Sequence, residues 1–345
     1  MYDTQKIVNT VITGNSLDVL REFPNNSIDM VFTSTPYFGL RSYHTKPFIW
    51  GNECKCESHS WKTIVKKGIS GGTKSYKVQI KGEKNFQIVP DSTSRICEVC
   101  GCWEGELGQE PTPSMFVEHL VMIFEEIWRV LKPTGSCYVN LGDSFCARDV
   151  ENVKKKSLFG IPDRFKIAMI DWGWICRGEE IWHKTNQMPN PVKDRYLIDY
   201  EKIFFFTKMK KYYFEEQLEP YTEPLNRYGG DVLKADGKSD WSEETGQTCY
   251  RNRKQRPNPA GRKMRSVWSI PTASSKIKHM ATFPEKLLMT PIQASCPIDG
   301  IVLDPFFGSG TTGVVAKKLG RNWIGIEANP KYSEMAIKRL SEKGE

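Results

Sequence analysis

The chain has 345 residues, 39% hydrophobic and 26% charged, with a formal net charge of +8. Such proportions are ordinary globular usage and allow a sizeable core, and the length suits one large domain with insertions or two domains. No run comes near the roughly 18 apolar residues of a membrane span, the N-terminus (MYDTQKIVNT) lacks the basic-then-apolar pattern of a secretion signal, and the modest basic excess suits a polyanionic partner. A cytoplasmic protein is therefore expected. Its ten cysteines should be reduced, so clustered cysteines point to metal before disulfides.

The elements expected in chain order begin with a β-rich segment at 7–14, a short helix at 16–22 with Ser16 as its cap, and a buried strand at 28–33 (IDMVFT). Residues 51–110 form a polar, Gly/Lys/Ser-rich insertion too poor in apolar residues to build a core of its own. Positions 113–131 (PSMFVEHLVMIFEEIWRVL) carry apolar residues at helical spacing between Pro-Ser and Lys-Pro-Thr-Gly, the clearest helix in the chain. A strand at 137–141, a helix at 162–171 and strands at 179–183 and 203–207 follow. Residues 208–266 are polar and basic. The C-terminal part holds a strand at 301–304, a helix at 311–319 and a strand at 322–327. Strands alternating with helices predict an α/β protein with a mostly parallel sheet covered on both faces.

The strongest local pattern is Asp304-Pro-Phe-Phe-Gly308-Ser-Gly310-Thr-Thr-Gly313. A strand delivers an acid into a glycine-rich loop, and a helix starts at once. Glycines let backbone approach a ligand closely, and the N–H groups at a helix start favour a carboxylate or phosphate. After that helix, Glu327 ends the next strand, where an acid accepts hydrogen bonds from ribose hydroxyls. An adenosine-bearing ligand is implied. No lysine follows the glycines, so this is not a nucleotide-triphosphate loop of the Gly-x-x-x-x-Gly-Lys-Ser/Thr kind.

DPFFGSGTTG followed by IGIE resembles the first two motifs of the amino-group DNA methyltransferases. The resemblance implies a Rossmann-like methyltransferase fold in which Asp304, Phe306, Gly308, Ser309, Gly310, Thr311 and Thr312 hold S-adenosylmethionine and Glu327 holds its ribose. Positions 279–287 (HMATFPEKL) resemble the segment preceding that motif, which implies Thr282, Phe283 and Pro284 against the cofactor. Ser34-Thr35-Pro36-Tyr37, at the end of the IDMVF strand, resembles the family's catalytic tetrapeptide, with Thr35 where proline is usual. The chemistry asks for such residues. The amino nitrogen of a base is conjugated with its ring and is a poor nucleophile, so acceptors aimed at its N–H groups turn the lone pair outward. The Ser34 hydroxyl and Thr35 carbonyl are the natural acceptors, Pro36 keeps Thr35 extended, and Tyr37 can stack on a flipped base.

The catalytic motif precedes the cofactor motif, the permuted order of the β group of these enzymes. That order implies catalytic parts at 1–50 and 111–207, a target-recognition region at 208–266, and a cofactor-binding part at 267–345. In the recognition region Arg251, Arg253, Lys254, Arg256, Arg262, Lys263 and Arg265 are candidates for DNA contacts. Asn15 stands where many relatives have an acid, Asn140 and Asp143 at another resembling strand end, and Trp182, Lys184 and Asn186 in a segment that supports the target pocket. His183 reads as a structural histidine.

The insertion carries Cys54, Cys56 and His59, then Cys97-Glu-Val-Cys100-Gly-Cys102, a knuckle spacing that suggests structural zinc. Cys56, His59, Cys97 and Cys100 are the preferred ligands, with Cys54 competing with His59. Such a metal would order an insertion with little core.

The expected activity is methyl transfer to cytosine N4 in DNA, because Ser34 stands where adenine enzymes usually carry an acid or amide. Adenine N6 is the alternative, and a non-catalytic DNA-binding module or an RNA or protein methyltransferase are further readings. No Pro-Cys pair occurs, which argues against ring-carbon methylation through a cysteine nucleophile. The partner expected is double-stranded DNA, with a cognate restriction endonuclease and a homodimer as further candidates, and no membrane.

Overall fold

The computed structural model describes residues 2–51, 56, 58–66, 92–221, 258, 260–273 and 283–342. Cys54, Arg251, Arg253, Lys254, Arg256 and Thr282 lie outside the described residues. The chain divides into two compact units, Met1–Phe214 with Val267–Glu345, and Glu215–Ser266.

The larger unit is built on an eight-stranded sheet. Its strands are β1 (Thr10–Thr13), β2 (Ile28–Ser34), β7 (Leu131–Leu141), β8 (Ile175–His183), β9 (Tyr200–Thr207), β12 (Val267–Ser269), β13 (Ile301–Asp304) and β14 (Asn322–Glu327), in the spatial order β1-β14-β13-β2-β7-β9-β8-β12. All neighbours run parallel except β9, which is antiparallel to both β7 and β8. The mostly parallel α/β sheet expected from the sequence is present. The central strands are short apolar runs because both faces are covered; every residue of β13 is buried.

Helices α1 (Ser16–Arg21), α2 (Pro113–Val130) and α3 (Ile161–Trp172) supply Leu20, Phe116, Ile123, Ile127 and Phe165 to one core layer. Helices α4 (Glu285–Ser295), α5 (Thr311–Lys318) and α6 (Pro330–Glu342) supply Leu287, Ile292, Val315, Ala336 and Leu340 to the other. Helix α2 starts where expected, with Pro113 in its first turn and the Thr112 hydroxyl accepting from Met115 N at 3.2 Å. The cap of α1 is Asn15 rather than Ser16, its side chain accepting from Leu17 N at 2.9 Å. Ser16 instead donates to the Pro305 carbonyl at 2.5 Å, so it ties α1 to the glycine loop.

The insertion folds as a four-stranded antiparallel sheet of β3 (Phe48–Trp50), β4 (Trp61–Lys66), β5 (Ser92–Cys97) and β6 (Trp103–Gly105), in the order β3-β6-β5-β4. Its poverty in apolar residues is met by anchoring. Trp50 and Trp103 stack on His119 of α2, with ring centroids 5.0 and 5.5 Å away. His119 in turn meets the buried Glu110 carboxylate at 3.1 Å.

In the smaller unit, β10 (Leu218–Glu219) pairs antiparallel with β11 (Arg262–Lys263). Glu219 accepts from Arg262 at 2.8 Å and from Arg265 at 2.7 Å.

Candidate functional site

Strands β2 and β13 lie side by side, with Met30 opposite Val302 and Val31 opposite Leu303. The two motifs read from the sequence therefore end at the same edge of the sheet. Asp304 fastens them together. Its carboxylate accepts from Thr33 at 2.7 Å, across 271 chain positions, and from Thr312 Oγ1 at 2.6 Å and Phe306 N at 3.0 Å. Asp304 is wholly buried, and burial pushes its carboxyl up to about 6, against the opposing hydrogen bonds from Thr312 and Thr33. Asp304 and Thr312 thus sit behind the site and shape it; neither lines the cavity.

That cavity measures about 850 Å³, within the usual range for small-molecule sites. One wall is the glycine loop, through Phe306, Gly308, Ser309 and Thr311. A Cβ at Gly308 would meet nothing within 4 Å, so the backbone there opens onto empty space. Phe307 of the loop needs a glycine on the neighbouring strand: a Cβ on Gly325 of β14 would stand 2.3 Å from the Phe307 ring, which stacks on Trp323 at 5.2 Å. Glu327 lines the same wall and is 8% exposed. Its oxygens accept from Gly308 N and Asn329 N, each at 2.8 Å. Burial raises its pKa while those bonds oppose the rise. Phe283 lines this end of the cavity; Pro284 caps α4 and Gly310 caps α5, and neither lines the cavity.

The opposite wall is Ser34, Thr35, Pro36 and Tyr37. Ser34 is partly exposed to the cavity. The Thr35 side chain turns inward, and its hydroxyl is buried with no hydrogen-bond partner among the described residues. Tyr37 donates its hydroxyl to Glu201 Oε2 at 2.5 Å, with Asn140 Oδ1 3.4 Å away. Burial first, then the Glu201 charge, raise the phenol well above its ordinary pKa, so it remains a neutral donor. Glu201 is also paired with Lys184, whose ammonium lies 4.9 Å from the Trp182 ring. Lys184 was singled out in the sequence. Glu201 was not, because nothing local distinguishes an acid at the start of a strand; it reaches Tyr37 only because β7 pairs with both β2 and β9. Asn15 lines the cavity while capping α1. His183 is not among the lining residues and bonds Ser269 Oγ at 3.0 Å.

The insertion brings Cys56, His59, Cys97 and Cys100 together, with one ligand atom from each and all four within 4.8 Å of one another. The Cys100 sulfur lies 3.6 Å from His59 Nδ1. A tetrahedral zinc with Zn–S near 2.3 Å would separate its ligand atoms by about 3.7 Å, so the donor set and its spacing fit that ion.

A family model described as DNA methylase, of the N6/N4 type, matches residues 28–338, which includes both walls of the cavity. The chain belongs to this family of DNA methylases. The methylase is 30% identical over 355 residues to the type II methyltransferase M.Cfr9I of Citrobacter freundii, covering 96% of this chain and 87% of that one. It is 31% identical over 352 residues to M.XycI of Xanthomonas campestris pv. cyanopsidis, with the same coverage of 96% and 87%. Among solved structures, the PvuII DNA methyltransferase, which is cytosine-N4-specific, superposes with a TM-score of 0.56 at 18% identity, over 97% of this chain and 87% of that one. Among the described residues, no helix of the methylase is long and apolar enough to cross a membrane.

Proposed function

We propose that this methylase transfers the methyl group of S-adenosylmethionine to N4 of cytosine in DNA. The observation that carries this reading is the single cavity walled by Gly308 and Glu327 on one side and Ser34 and Tyr37 on the other. When bound, S-adenosylmethionine supplies an electrophilic methyl on a sulfonium. Glu327 has lone pairs left to accept from ribose hydroxyls, and the open space beside Gly308 suits the methionine portion. On the facing wall the Ser34 hydroxyl and Thr35 carbonyl accept from the amino N–H groups of the base, which turns the nitrogen lone pair toward the methyl. The Tyr37 ring, held by Glu201, offers a stacking face to an extruded base.

Ser34 in place of an acid or amide supports cytosine N4 over adenine N6, as does the fold shared with a cytosine-N4-specific enzyme. The target-recognition role falls to residues 208–266. Of the three candidate cations described there, Arg262 and Arg265 are engaged by Glu219, and the Lys263 side chain, 77% exposed, pairs only at 3.8 Å with the exposed Glu216, a contact that a phosphate can replace. The type II methyltransferase names of two relatives support a restriction–modification setting, with a cognate endonuclease as partner. Zinc at Cys56, His59, Cys97 and Cys100 is structural, because four protein ligands leave no open position.

The test is transfer of labelled methyl from S-adenosylmethionine to DNA by the wild-type chain and by Ser34→Ala. Removing one of the two acceptors should lower kcat by ~10²-fold. If neither protein transfers label while both bind DNA, the non-catalytic reading replaces this one.

A further inference from the structure

The insertion sheet contributes more than a metal cluster. Strand β6 begins directly after Cys102, and Glu106, the residue after β6, lines the cavity together with Gly105 and Leu107. The Glu106 carboxylate spans two donors on the loop that follows the catalytic tetrapeptide. Oε2 accepts from the Ser42 hydroxyl at 2.6 Å, and Oε1 accepts from the Tyr43 backbone N–H. Two further bonds hold the same loop to the same segment: Gly39 N donates to Gly108 O at 2.8 Å, and Gln109 Nε2 donates to Arg41 O at 2.6 Å.

From Tyr43 the connection continues to the cofactor wall. The buried Asn329 donates its side-chain N–H to Tyr43 O at 2.8 Å. The Asn329 backbone N–H donates to Glu327 Oε1 at 2.8 Å. A hydrogen-bonded path therefore runs from β6 through Glu106, Tyr43 and Asn329 to the acid assigned to the ribose. The sequence gives no hint of it, because its members lie in three distant segments.

We propose that Glu106 is a positioning residue for cofactor binding, holding Tyr43 so that Asn329 and Glu327 keep the orientation a ribose requires. This rests on the assignment of S-adenosylmethionine to the Gly308–Glu327 wall. A carboxylate is suited to the task, since two oxygens serve two donors at once and each bond is charge-assisted. Glutamine keeps one acceptor oxygen and presents an N–H group to the other donor. Alanine keeps neither.

The experiment is calorimetric titration of S-adenosylmethionine and S-adenosylhomocysteine into the full chain, as wild type, Glu106→Gln and Glu106→Ala. Melting temperature and zinc content are measured on each to establish that the insertion remains folded. The expected result is a graded rise in Kd, about three-fold for Glu106→Gln and about ten-fold or more for Glu106→Ala. At saturating cofactor, kcat stays within about two-fold of wild type, because the residue acts on binding and not on the transfer step. Should Glu106→Ala fail to fold, the rise in Kd for Glu106→Gln decides the matter. Tight binding by wild type matched by both variants would overturn the role of Glu106 alone. A fall in kcat at unchanged Kd would also overturn it, since Glu106 would then act on the base side. Failure of wild type to bind either compound would overturn the cofactor assignment and this proposal with it.

Discussion

Asp304→Asn tests whether the junction of β2 and β13 is held by a carboxylate in a desolvated site. Asp304 is wholly buried, and its carboxyl is raised from 3.8 to about 6. A carboxyl with a raised pKa in the folded state binds its proton more tightly there than in the unfolded chain. Its stabilising contribution is therefore full below about pH 4 and is lost as pH rises through about 6. The rise corresponds to ~3 kcal/mol of stability surrendered across that window. Asparagine imitates the neutral acid. Its Oδ1 can accept from Phe306 N and Thr33, and its N–H can donate to the Thr312 hydroxyl. Relative to the fully protonated state that it imitates, the variant should exceed wild type by only ~1 kcal/mol near pH 4.5 and by ~3 kcal/mol at pH 8. Urea unfolding of both proteins across pH 4.5 to 8 reads the difference directly, because other titrating groups cancel between them. A difference that stays flat with pH would refute the assignment of a strained buried charge to this position.

Three further outcomes follow from the same geometry. Thr35→Val removes a buried hydroxyl without a partner among the described residues, so the variant should be as stable as wild type or better by up to ~1 kcal/mol; a loss larger than ~1 kcal/mol in thermal unfolding would mean that the hydroxyl is engaged. Glu201→Ala takes away the acceptor of the Tyr37 hydroxyl and the partner of Lys184. It should lower kcat about ten-fold or more with cofactor Kd unchanged, and steady-state kinetics showing only a cofactor effect would contradict the placement of Glu201 on the base side. Metal analysis of purified protein should find about one zinc per chain, and chelation should lower the melting temperature; a content well under one per chain would remove zinc from the account.

The parts of the site legible in the sequence were those carried by short contiguous motifs. DPFFGSGTTG, IGIE and STPY each lie at the tip of one strand, so local pattern sufficed to find them. Their meeting was implied by the family resemblance and follows physically from the β2–β13 pairing. Within the motifs, a residue's type did not reveal which way it faces. Asp304 and Thr312 lock the strand ends together from behind, whereas Glu327 reaches the cavity. Glu201 and Glu106 were illegible because each acts through tertiary hydrogen bonds, one 164 positions from its partner Tyr37 and the other 64 from Ser42. Helices α4 and α6 were missed for different reasons. The first contains Pro291, which breaks the helical pattern on paper, and the second has buried residues confined to a thin stripe, Ser333, Ala336 and Leu340. The insertion sheet escaped because its stability comes from Trp50 and Trp103 stacking on a helix elsewhere in the chain.

The most direct measurement is mass analysis of nucleosides from DNA that the purified chain has methylated in the presence of S-adenosylmethionine. The account predicts N4-methylcytosine, absent when Ser34 is alanine. Methyladenine as the sole product would contradict the choice of base, and DNA left without any methylated nucleoside would contradict the meeting of cofactor and nucleobase between Gly308 and Ser34.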